Sequence, residues 1–148
     1  MSRTAVITGT ASGIGRATAL AFLRDGYKVL GVDVKPMLGA VEVDFKQRGG
    51  YRHIIADISD SRDVFSLTEA ALDFFPSHKV NVIVNNAGIA DPFFPSGGLP
   101  GACMEHWGRV IATNLTGTTA MVAAPAGHVQ RRDTTLGPPG CGPHAPTP

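Results

Sequence analysis

The sequence predicts an α/β domain built on a parallel sheet. Three observations point there. Short β-rich runs alternate with helical patterns as far as about Ala124, the fourth run is apolar nearly throughout, and the first run enters a helix through a glycine-rich turn. Strand–helix–strand alternation implies right-handed crossovers between neighbouring parallel strands. Pattern alone supports any α/β domain and goes no further.

Thr4–Thr8 (TAVIT) is the first β-rich run, and Gly13 to Asp25 reads as a helix with Ile14, Ala17 and Ala21 on one face. Tyr27 to Asp33 and Tyr51 to Asp57 read as the second and third strands. The segment from Asp60 to Phe75 is the clearest helix. Val64, Leu67, Ala71 and Phe75 share one face, Arg62, Ser66, Glu69 and Asp73 the other. Asp60 is placed to cap it, with Asp63 in its first turn. Val80 to Val84 is a fourth strand, apolar as a strand covered on both faces should be. A Pro/Gly-rich loop runs from about Ile89 to Gly101. Met104 to about Ala123 then reads as a helix with Met104, Trp107 and Ile111 in register.

At 148 residues the chain has the length of one domain. A net charge of +1 gives no electrostatic ground for nucleic acid or an anionic membrane surface. No apolar run nears the roughly 20 residues of a membrane span, and Met1 to Thr8 carries no long apolar leader. Cys103 and Cys141 form neither a metal-ligand cluster nor a disulfide framework, so no metal is expected and a cytoplasmic setting is. From Pro125 to Pro148 the texture changes: six of these 24 residues are proline, four are glycine, and Val129 and Leu136 are almost the only large apolar side chains. Such a stretch buries too little apolar surface to offset its ordering entropy, and a disordered tail is expected. The expected organisation is a nucleotide-binding domain over 1–124 and this tail over 125–148.

The turn Thr8-Gly9-Thr10-Ala11-Ser12-Gly13-Ile14-Gly15 joins a strand to a helix, the setting that gives a glycine motif meaning. Gly9 permits a tight turn, Gly13 permits close approach to a pyrophosphate, and Gly15 permits close helix–sheet packing. The helix start then offers N–H groups and positive dipole to phosphate. The competing reading is a glycine-rich loop without a ligand. Asp33 ends the second strand, 18 residues after Gly15, near the spacing at which a carboxylate accepts bonds from the adenine-ribose hydroxyls. It would repel a 2′-phosphate, and Ser12 supplies no positive charge to offset that. NAD is therefore preferred over NADP, with Lys35 close enough to weaken the preference. Alone, Asp33 reads equally as a solvated strand-end carboxylate.

These residues resemble the short-chain dehydrogenase/reductase family. Thr8 to Gly15 matches its TGxxxGIG pattern, Asn85-Asn86-Ala87-Gly88 its NNAG, Trp107 to Gly117 (WGRVIATNLTG) its asparagine-bearing helix, and Asp57-Ile58 its adenine-holding pair. The likeness covers about Ser2 to Ala120. It implies a Rossmann-type doubly wound parallel sheet with strand order 3-2-1-4, here cut off after about four strands. It also implies hydride transfer between NAD(P) and an alcohol or ketone. By resemblance, Gly9, Ser12, Gly13, Ile14 and Gly15 hold the pyrophosphate and Asp33 the adenine ribose. Asp57 takes the adenine amino group, and Ile58 donates its N–H. Asn86, Ala87 and Gly88 line the nicotinamide side, and Asn114 is the active-site asparagine. NNAG would also tie the sheet together.

The family's chemistry needs a tyrosine to exchange a proton with substrate, a lysine four residues later, and an upstream serine. All follow the asparagine. Here no serine follows Ser96, no tyrosine follows Tyr51 and no lysine follows Lys79. The expectation is therefore dinucleotide binding without turnover by this chain, an alcohol or ketone being bound only by a completed protein. The alternatives are a non-catalytic NAD-binding module and a truncated product without function. The family forms homo-oligomers through two adjacent helices, of which only the first, near Met104 to Ala123, is present.

Overall fold

The computed structural model of the protein describes residues 3–37, 40–75, 79–90 and 104–124. The expected tail and residues 91–101 of the Pro/Gly-rich loop lie outside them. Four strands, β1 (Thr4–Thr8), β2 (Lys28–Asp33), β3 (Tyr51–Ile55) and β4 (Val82–Val84), form one parallel sheet in the order β3-β2-β1-β4. This is the 3-2-1-4 order of the expected doubly wound sheet. All five β1 residues are buried, because helices cover both faces of the strand. Alternation sorts its side chains: Val6 joins a core with Leu30, Val32, Leu67 and Phe75, while Ala5 and Ile7 join the opposite core with Ala19, Val29 and Phe45. Among the described residues β4 pairs with β1 and forms the sheet edge.

Helix α1 (Gly13–Arg24) covers the second core, but with a different face from the one the periodicity suggested. Gly15 and Ala19 are buried, with Leu20, Phe22 and Leu23 packed beside them, whereas Ile14, Ala17 and Ala21 are exposed. The physical reason is closeness: a Cβ at Gly15 would overlap the Gly9 carbonyl oxygen, so the helix meets the strand through its smallest residues. Helix α2 (Ala40–Arg48) had no clear signal in the sequence. Val41, Val43 and Phe45 alternate as in a strand; Val43 is exposed, and Phe45 is a buried anchor, its ring centroid 4.2 Å from that of Tyr51.

Helix α3 (Ser61–Phe74) follows its amphipathic pattern, with Val64, Leu67 and Ala71 buried and Phe75 sealing the end. Burying a side chain of that size is worth ~2–3 kcal/mol. Asp60 caps α3 by accepting from the Arg62 N–H at 2.8 Å. Thr68 is the polar exception on the buried face, and its hydroxyl donates to the Val64 carbonyl. The last helix begins as α4 (Met104–Ile111), widens to a π-helical turn over Ala112–Gly117, and resumes over 118–124. Trp107 remains 44% exposed on it. No helix among the described residues is long and apolar enough to cross a membrane.

Candidate functional site

The motif residues converge on the carboxyl end of the sheet. Gly9 leaves β1, Asp33 ends β2, Asp57 follows β3 and Asn86 follows β4. Chain order reverses between β1 and β4, which makes this edge the switch point where open parallel sheets hold ligands.

Gly9 and Gly13 both take positive φ, 74° and 52°, where a side chain is strained. Around Gly9 there is no room either, since a Cβ would lie 2.6 Å from Asn86 Nδ2. Above Gly13 there is nothing within 4 Å, so its main chain faces open space. Ser12 occupies the N-cap in an extended conformation without a side-chain capping bond, and no acidic residue sits in the first turn. Its carbonyl accepts the Arg16 N–H at 3.2 Å. Ile14 is 77% exposed beside the turn. The start of α1 thus presents backbone donors and positive dipole, with no acidic side chain in its own first turn.

Asp33 is aimed back across this turn. One carboxylate oxygen accepts from the Ala11 N–H and the other from the Lys35 N–H, both at 2.9 Å. Those bonds fix its orientation and leave acceptor capacity, since a carboxylate offers about four lone-pair sites. Asp57 is exposed; its Oδ1 accepts from the Ser59 N–H and hydroxyl, and its own N–H donates to Asp63. Ile58 is buried instead, with its carbonyl so close to Gly117 that a Cβ there would lie 2.7 Å away.

The NNAG segment is fastened by Thr8, to which the motifs assign no role. Thr8 Oγ1 accepts from the N–H groups of both Asn86 (3.0 Å) and Ala87 (2.9 Å). Asn86 returns the tie, its Nδ2 donating to the Thr8 carbonyl at 3.0 Å. Asn85 Nδ2 donates to the Thr118 carbonyl, joining β4 to the last helix. Asn114 sits in the π-helical turn and clasps Ile89 on both sides. Its Oδ1 accepts from the Ile89 N–H and its Nδ2 donates to the Ile89 carbonyl, each at 2.9 Å. Gly88 runs close beneath, where a Cβ would lie 3.3 Å from Asn114 Oδ1. Asn114 thereby holds the chain as it leaves the motif. Thr8 was the overlooked signal: a β-branched hydroxyl ending an apolar strand, immediately before the first glycine.

Two residues outside the motifs, Tyr51 and His53, join Thr10 of the glycine turn from below. Thr10, Tyr51 and His53 form a polar cluster under the glycine turn. Burial pushes the Tyr51 phenol up to about 12, with the nearby Asp33 charge raising it further against the lowering effect of the Thr10 bond.

Comparisons with known proteins bear on the family and the fold. A family model described as short chain dehydrogenase matches residues 3–134. Serine 3-dehydrogenase of Agrobacterium fabrum is 35% identical over 120 residues, covering 79% of this chain and 45% of that protein. Momilactone A synthase of Oryza sativa subsp. japonica is 34% identical over 132 residues, covering 85% and 47%. A crystal structure of 3-ketoacyl-(acyl-carrier-protein) reductase from Brucella melitensis, complexed with NADH, superposes with a TM-score of 0.71 at 28% identity. It covers 90% of this chain and 52% of that one. The chain spans about half the length of these relatives.

Proposed function

The chain belongs to the short-chain dehydrogenase/reductase family, and from that premise we propose that residues 1–124 hold the dinucleotide of an alcohol or ketone oxidoreductase. The observation that carries this reading is the uncapped start of α1, facing open space above Gly13. The residues fit a pyrophosphate. Gly9, Ser12, Gly13, Ile14 and Gly15 would hold it through main-chain N–H groups, with the exposed Ile14 packing alongside. Asp33 would accept from the adenine-ribose hydroxyls, Asp57 and Ile58 would hold the adenine ring, and Asn86, Ala87 and Gly88 would line the nicotinamide side.

When bound, such a cofactor supplies a hydride acceptor or donor. This chain's own residues bind and orient it. Asn114 is proposed as a positioning residue, because its amide is spent on the Ile89 backbone. Moving the substrate proton is the work of the family's tyrosine–lysine pair, and within these 148 residues no tyrosine follows Tyr51 and no lysine follows Lys79. General acid–base help is worth about 10²- to 10⁴-fold in rate. Binding without turnover is therefore the outcome proposed for this chain by itself.

The proposed ligand is NAD in preference to NADP, since Asp33 would lie against a 2′-phosphate. Titration calorimetry tests this. The chain should bind NAD saturably and NADP more weakly, Asp33→Asn should narrow the difference, and Gly13→Trp should abolish binding of both. Equal affinity for the two dinucleotides, unchanged in Asp33→Asn, would refute the preference. Reduction of NAD by a panel of secondary alcohols would refute the absence of turnover.

A further inference from the structure

Beneath the glycine turn, the Thr10–Tyr51–His53 cluster does work that the motif residues leave unexplained. Tyr51 and His53 stand two apart on β3, so both project from the same face of the sheet. They lie over Gly31 of β2, whose Cα is in register with that of His53. A glycine in a strand interior weakens the strand and packs nothing. At Gly31 the reason is visible: a Cβ would overlap the Tyr51 phenol and lie 2.7 Å from Thr10 Oγ1. The gap at Gly31 is what lets the phenol reach Thr10.

The bonds form a closed circuit. The Tyr51 hydroxyl lies 3.3 Å from Thr10 Oγ1 and 3.2 Å from His53 Nδ1. Thr10 Oγ1 lies 3.5 Å from the same nitrogen. On the far side of the ring, His53 Nε2 lies 3.0 Å from the Lys35 carbonyl oxygen. A carbonyl only accepts, so Nε2 carries the hydrogen, and in the neutral ring Nδ1 accepts from one of the two hydroxyls. The Lys35 N–H then donates to one oxygen of Asp33, and the N–H of Ala11, next to Thr10, donates to the other. The circuit runs from Asp33 through Lys35, His53, Thr10 and Ala11 back to Asp33.

We propose that His53 is a positioning residue that sets the preference for NAD over NADP. By holding the Lys35 carbonyl it fixes the backbone that follows β2. That backbone fixes the Asp33 carboxylate and keeps the Lys35 side chain from rearranging to meet a 2′-phosphate. This rests on reading Asp33 as the ribose acceptor. His53→Phe keeps an aromatic ring beside Tyr51 but removes both hydrogen-bonding nitrogens. His53→Gln retains an amide that can donate to the Lys35 carbonyl.

Calorimetric titration of the wild type and both variants with NAD and NADP separates the possibilities. His53→Phe is expected to weaken NAD binding by about tenfold, the scale of one lost hydrogen bond, and to shrink the NAD:NADP ratio. His53→Gln is expected to restore most of the ratio. Equal ratios in all three proteins, with NAD binding intact, overturn the role of His53 and leave the cofactor site standing. No NAD binding by the wild type overturns both. Should His53→Phe fail to fold, wild-type protein labelled with ¹⁵N-histidine supplies a second reading. The His53 ring resonances are expected to shift during NAD titration, and resonances unmoved at saturation overturn the proposal.

Discussion

Thr8 shows how one hydroxyl governs the geometry around it. Its Oγ1 accepts two backbone N–H groups from the segment after β4. In Thr8→Val the shape stays and the acceptor goes, orphaning two donors at roughly 1–3 kcal/mol each. Chemical denaturation should show a loss of about 2–6 kcal/mol for the two together, whereas Thr8→Ser should recover most of it. Tyr51 gives a pH prediction. Its folded-state pKa is raised from 10.0 to about 12, so the folded chain keeps a proton that the unfolded chain loses. The associated stability is complete below pH 10 and is lost as pH rises toward about 12. Stability measured across that window should fall more steeply in the wild type than in Tyr51→Phe. At this scale the glycines, Asp33 and the NNAG run were legible because each motif letter has a backbone consequence. Thr10, Tyr51 and His53 were not, because their partners are up to 43 residues apart in sequence.

The elements divide by how local their causes are. Helix α3 was readable because its pattern, cap and burial agree, and Asp60 caps it as its position implied. The Arg62 guanidinium holds the Asp60 carboxyl down at about 2. Asp60→Ala should therefore lower the melting temperature at neutral pH, with the difference from wild type closing as acid protonates the carboxylate toward that value. A gap unchanged down to pH 2 would contradict the capping role. Helix α1 misled, because the face it buries is chosen by how closely Gly15 lets it approach Gly9, not by its largest side chains. Helix α2 was hidden by apolar residues spaced like a strand. The π-helical turn left no periodic trace, since one widened turn is too short to shift a pattern. Its purpose is visible in the grip of Asn114 on Ile89.

For the molecule as a whole, the alternation of strands and helices predicts only a parallel α/β sheet; the strand order 3-2-1-4 is what the family resemblance implies, and the sheet has it. The sheet then brings together residues that the sequence holds far apart, with Gly9, Asp33, Asp57 and Asn86 at one end. The proposed site rests a diphosphate on main-chain amides where β1 turns into α1. Two-dimensional ¹H–¹⁵N NMR during NAD titration tests it most directly. Saturable shifts of the Gly13, Ile14 and Gly15 amide signals are expected, reproduced by inorganic pyrophosphate at higher concentration. Amides that stay in place at saturating NAD while signals elsewhere move would contradict it.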